Sequence, residues 1–192
     1  MSHSKDLSII RKSILNSIQN TDSGHLGPSF SCTEILYIIL KKYINFKNKN
    51  RNKIILSKGH AAPAIYAIYN HLKLLKKNEL NTLRKFTSRL QGHPDKKKLK
   101  LLDFGTGALG QGLSVSIGYS LASKLLNKKN FVFCIMGDGE LQEGQVWEAA
   151  MYIGSNKIKN IVTFIDGNKF QNEFSIEETL KEVNLKGKWE SF

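Results

Sequence analysis

The chain is poor in several things, and each shortage closes off a class of protein. Its two cysteines, Cys32 and Cys134, stand far apart among 192 residues, with no spacing that would frame a disulfide scaffold or a zinc site. That usage suits a reducing compartment, and a cytoplasmic location is expected. No apolar run approaches the roughly 20 residues a membrane helix needs, so no membrane partner is expected. The first twenty residues place Leu7, Ile10, Ile14 and Ile18 on one side but lack a secretory apolar core or a small-residue cleavage site. They read as the first helix, not as an address. Acid is scarce as well: 16 Asp and Glu face 29 Lys and Arg, a formal net charge of +13. Such a balance ordinarily raises nucleic-acid binding. Here Lys far outnumbers Arg, and the densest clusters, 47–53 and 96–100, fall in apparent loops without interleaved aromatics. A solvated surface is the expectation, with no nucleic-acid partner. No internal repeat and no Pro- or Ser-rich linker divides the chain, and a hydrophobic share of 41% is enough for a core, so residues 1–192 read as one domain.

What is present is organised around the stretch from Phe131 to Gln171. The apolar run 131–136 has the length and composition of a buried parallel strand and stops at Gly137-Asp138-Gly139. Helical spacing of Val146, Ala149, Ala150 and Ile153 follows over 142–155, and a second apolar run, 161–165, ends at Asp166-Gly167-Asn168. This is a βαβ unit with an oxygen ligand at each strand tip. Ligands of open α/β sheets bind in the crevice beyond those tips, so Asp138 and Asn168, thirty residues apart, face one small site that suits a hard cation and its diphosphate.

Upstream, helices are expected over 7–18, 32–43, 61–74 and 78–86, with a break at 22–28 and a short strand at 53–56. Residues 90–102 form a long irregular connection of the kind that tends to carry function. The glycine-rich turn 105–112 feeds a helix over 113–125, offering backbone N–H groups to an anion or close approach to a ligand. A further helix is expected around 176–183. The fold class is α/β, a mostly parallel sheet with helices on both faces. Three strands are few for a self-sufficient sheet. The edge is therefore expected to be covered by a partner chain or by residues beyond Phe192, with the fold incomplete at that end.

Three histidines each follow a glycine in separate loops: Gly24-His25, Gly59-His60 and Gly92-His93. A histidine beside a flexible glycine can reach a ligand and exchange protons near neutral pH. His3 and His71 lack this context.

The ordered motifs Ser23-Gly24-His25, Leu56-Ser57-Lys58-Gly59-His60-Ala61, Leu90-Gln91-Gly92-His93-Pro94, Thr106-Gly107-Ala108-Leu109-Gly110-Gln111-Gly112 and Gly137-Asp138-Gly139-Glu140-Leu141-Gln142-Glu143-Gly144 together resemble the thiamine-diphosphate domain of transketolase, most of all the separate N-terminal subunit of split transketolases. The resemblance implies that Asp138 and Asn168, with the backbone carbonyl of Phe170, bind Mg²⁺ bridging a thiamine diphosphate. It implies that the Gly139 amide and His60 contact the diphosphate and that the Gly110 backbone meets the aminopyrimidine. His25 and His93 are implied to hydrogen-bond the donor sugar and move protons, and Glu143 to lie at the subunit contact. The activity implied is transfer of a two-carbon ketol unit from a ketose phosphate to an aldose phosphate, in the pentose phosphate pathway. It would need a pyrimidine-binding C-terminal partner subunit and self-association across the cofactor site. The pattern departs after Gln171, where Asn172-Glu173-Phe174 brings no glycine, and the family's domain continues past the point where this chain stops, so a C-terminal truncation is expected. The competing readings are a deoxyxylulose-phosphate synthase-like enzyme and a non-catalytic, decaying cofactor-binding remnant.

Overall fold

Three parallel strands carry the site, and their alternation decides how the rest packs. A computed structural model describes residues 2–171, 174–180 and 184–192. Strands β1 (Lys53–Leu56), β2 (Val132–Gly137) and β3 (Ile161–Asp166) lie in the order β1-β2-β3, with Ile55 opposite Cys134 and Gly137 opposite Asp166. Successive side chains of a strand point to opposite faces. Ile54, Leu56, Phe133, Ile135, Val162 and Phe164 accordingly join one apolar cluster, and Ile55, Val132, Cys134, Met136, Ile161 and Ile165 join the other.

The first cluster is covered by α1 (Ser2–Gln19), α2 (Leu26–Ser31), α3 (Thr33–Lys42) and α4 (Ala62–His71). Helix α4 is buried from Ala62 to Tyr69, apolar on all sides, and so forms the centre of that layer. The second cluster is covered by α5 (Gln111–Leu125) and α6 (Gly144–Ser155). Helix α5 turns small residues inward, Gly112, Ser116, Ser120 and Ser123, which bring its backbone close to the sheet. Gly112 shows how close: a Cβ there would overlap the side chain of Ser57. A two-residue hairpin pair, β4 (Phe170–Gln171) and β5 (Phe174–Ser175), leads into α7 (Ile176–Thr179), and α8 (Leu185–Glu190) sets Trp189 against Trp147 of α6.

The α/β class with helices on both faces is what the sequence implied. Two helices differ. Residues 78–86 make only one 3₁₀ turn, Glu79–Thr82, because Asn78 (φ 64°) and Arg84 (φ 58°) take left-handed backbone at its ends. The break expected at 22–28 is shorter: helix resumes at Leu26 and is interrupted at Cys32, where α3 begins one residue late. The last expected helix is observed over Ile176–Thr179, and residues 181–183 lie outside the described part. The hairpin β4–β5 and helix α8 were not anticipated. Strand β3 has a neighbour on one side only among the described residues, and its side chains 161–165 are half-buried, as the strand count implied.

Candidate active site

The strand tips open onto a cavity of about 490 Å³. Lining it are His25, Lys58 and His60 from the β1 side, Leu109 from the glycine turn, and Asp138, Gly139, Glu140, Asn168 and Phe170 from the β2 and β3 tips. His25 ends the loop before α2, and its ring meets that of His60 edge-on at 5.6 Å between centroids. His60 follows β1 in a 3₁₀ turn. Burial, then the charges of Lys58, His25 and His93, hold its imidazole down to about 4, so it is neutral at physiological pH. His93 does not line the cavity directly. It stands behind Gly107, where a Cβ would lie 3.6 Å from its ring, and burial and then the Arg84 charge hold its imidazole below the usual range. The loop bearing it is tied down at Pro94, whose carbonyl accepts from the Thr106 amide (3.0 Å), and at Asp103, which accepts from Arg51 (2.7 Å) and the Ile54 amide (3.0 Å).

Asp138 stands one residue beyond β2, buried, with Oδ1 accepting from the Gly139 amide (3.0 Å) and Oδ2 from the Lys169 amide (2.6 Å). Those bonds aim the carboxylate at the turn that bears Asn168, whose Oδ1 accepts from the Phe170 amide (2.9 Å). Among the described residues no group of three His, Cys, Asp or Glu could hold a metal. The Asp138 carboxylate with the Asn168 amide and Phe170 carbonyl oxygens makes a donor set that suits a hard, partly hydrated cation. Glu143 is exposed at the start of α6, outside the cavity lining.

Two residues here, Lys58 and Glu140, were given no role by the sequence. Lys58 is 1% exposed and ion-paired with Asp166, the last residue of β3, which also accepts from Ser31 Oγ (2.5 Å). Glu140 is 2% exposed and accepts from the Ser57 hydroxyl and from the amides of Gly110 (2.7 Å) and Gly137 (3.2 Å). Burial nevertheless raises its carboxyl above the usual range. Lys58 carried one signal, a cation placed two residues past a buried strand. Glu140 carried none, being one acid among several in a helix-starting segment.

A family model described as the transketolase thiamine diphosphate binding domain matches residues 2–191. The chain belongs to the transketolase family. Its match to the 6-deoxy-6-sulfo-D-fructose transketolase subunit SqwG of Clostridium sp. (strain MSTE9) is 34% identical over 189 residues, 96% of this chain and 69% of that protein. Human transketolase is 38% identical over 164 residues, 81% of this chain but only 26% of that protein. Among solved structures, the transketolase from Campylobacter jejuni superposes with a TM-score of 0.88 at 27% identity, over 97% of this chain and 31% of that one. This transketolase-family chain thus spans about a quarter to a third of full-length transketolases and about two thirds of a separate subunit. Among the described residues no helix is long and apolar enough to cross a membrane.

Proposed function

We propose that this chain is the diphosphate-binding subunit of a two-chain transketolase. With a pyrimidine-domain partner, and in the cytoplasm, it transfers a two-carbon ketol unit from a ketose phosphate to an aldose phosphate. The observation that carries the reading is the cavity itself. Its lining sets two carboxylates, Asp138 and Glu140, against a single lysine already paired with Asp166. A diphosphate would be repelled from that charge balance unless a divalent cation came with it. In this reading Asp138, Asn168 and the Phe170 carbonyl would offer the oxygens that hold Mg²⁺. The Gly139 amide and neutral His60 hydrogen-bond the phosphate oxygens, and the Gly110 backbone meets the aminopyrimidine. Thiamine diphosphate, when bound, supplies the carbon nucleophile and the electron sink. His25 and His93 orient the donor's hydroxyls and carbonyl and exchange protons with them. Exposed Glu143 lies at the contact with the other half of the assembly, which self-associates across the cofactor site.

Calorimetric titration of the chain and its partner with thiamine diphosphate and Mg²⁺ tests this. Binding should require Mg²⁺ and should weaken at least tenfold in Asp138→Ala, since one charged metal ligand is lost. Binding that ignores both sinks the proposal. Ketol transfer by the reconstituted pair separates an enzyme from a cofactor-binding remnant. The sulfo-sugar subunit favours a second reading of the substrate, a sugar sulfonate as ketose donor, which the same assay distinguishes by donor.

A further inference from the structure

We infer that Glu140 and Gln145 are positioning residues that clamp the Leu109–Gly110 peptide plane in one orientation. Two hydrogen bonds fall on the two ends of this single peptide unit. The Gly110 N–H donates to Glu140 Oε1 at 2.7 Å, and the Leu109 carbonyl accepts from Gln145 Nε2 at 3.0 Å. Both side chains come from the short segment between β2 and the first turn of α6. A peptide held at both ends cannot flip without breaking both bonds. The hold matters because Gly110 sits at φ +81°, and glycine otherwise crosses between left- and right-handed backbone at little steric cost. Packing reinforces it: a Cβ on Gly110 would lie 2.8 Å from Glu143 Cβ and 2.9 Å from Gln145 Cγ.

Glu140 also fixes where the clamp stands. Its carboxylate takes the Ser57 hydroxyl and the Gly137 amide, and Ser57 Oγ in turn accepts from the Gly112 amide at 3.0 Å. One buried side chain therefore sets the glycine turn against the tips of both β1 and β2. Leu109 lines the cavity, so the orientation of its peptide decides which backbone groups the turn presents there. This inference rests on the functional reading above, in which that turn meets the aminopyrimidine while Asp138, Gly139, His60 and Asn168 hold the diphosphate. The clamp then acts on one end of the cofactor and not on the other.

The test compares thiamine diphosphate with inorganic diphosphate, each titrated at saturating Mg²⁺ into the complex of this chain and its partner. The wild type should prefer thiamine diphosphate. Gln145→Ala should weaken thiamine diphosphate about tenfold, the effect of losing one oriented hydrogen bond, and leave inorganic diphosphate within about twofold. Gln145→Glu, which keeps the shape but loses the donor, should behave as the alanine variant, and Gln145→Lys, which keeps a donor, should recover part of the loss. Glu140→Ala should show the same ligand selectivity; the half-buried Gln145 keeps the test decisive if that variant does not fold. Equal losses for both ligands would mean a merely structural pair and overturn the inference. A thiamine preference left intact in the variants overturns the clamp alone, whereas a wild type with no preference overturns the functional reading as well.

Discussion

The pair of Lys58 and Asp166 offers a quantitative handle on the cavity floor. Their side chains are 1% and 7% exposed, and Ser31 is the further donor to the same Asp166 oxygen. Removing either charge leaves the other buried without its counterpart, a loss of about 3–5 kcal/mol in such settings. Lys58→Met and Asp166→Asn should each lower stability by that amount. In a chain of this size the melting point should fall by roughly 6–20 °C, at about 2–4 °C per kcal/mol. The double variant replaces an ion pair with a neutral contact and should lose less than the sum of the two singles, by a coupling of about 2–3 kcal/mol in a double-mutant cycle. Urea melts of the four proteins, read by circular dichroism, supply all the terms. Single losses under about 1 kcal/mol, or a double variant equal to the sum of the singles, would refute the idea that the two charges depend on each other inside a dry floor. Lys58→Met should also weaken inorganic diphosphate, because the side chain lines the cavity.

His60, held down to about 4 against an unfolded value near 6.5, takes up its proton mainly on unfolding. Its contribution to stability should be full above about pH 6.5 and fade as the pH drops towards 4; melts over that range should have a shallower slope in His60→Gln, and proton NMR should find no charged His60 at pH 6. Gly112→Ala forces a methyl group into Ser57 and should cost about 1–3 kcal/mol in a denaturant melt, whereas Gly118→Ala, open to space, should cost nothing or stabilise α5. Burial pushes the thiols of Cys32 and Cys134 up to about 12, so a thiol reagent should label neither until the chain unfolds; stoichiometric labelling of the native protein would contradict the packing described.

The strands were legible in the sequence because each is an apolar run closed by a polar or glycine residue, and the crevice rule then located the site. His25, His60, Asp138 and Asn168 do share one cavity, and His93 stands behind it. What the sequence hid follows from long-range chemistry. Residues 78–86 carry Leu80, Leu83 and Phe86 at helical spacing; Leu80 and Leu83 are buried but Phe86 is fully exposed, so the three do not share one helix face. Glu140 received no role from the sequence; its three donors come from Ser57, Gly110 and Gly137, two of them remote in the chain, and only the fold brings them together. Lys58 is an ordinary surface type by composition, and its burial depends on Asp166, more than a hundred residues away. Periodicity reports which face of an element is buried, but it is silent on the polar groups that burial then obliges to pair.

Strand β3 bears a consequence in time and concentration. Ile161–Ile165 is uncharged and free of proline, flanked by Lys159 and Asp166, half-buried, and paired on one side only among the described residues. Two molecules that meet through that edge form a contact whose rate rises with the square of the concentration, while capture by a different chain rises only in proportion to each. An excess of this chain over whatever covers that edge therefore favours self-pairing, whatever the total dilution. A single lysine in place of Thr163, at the strand's midpoint, should shift that competition.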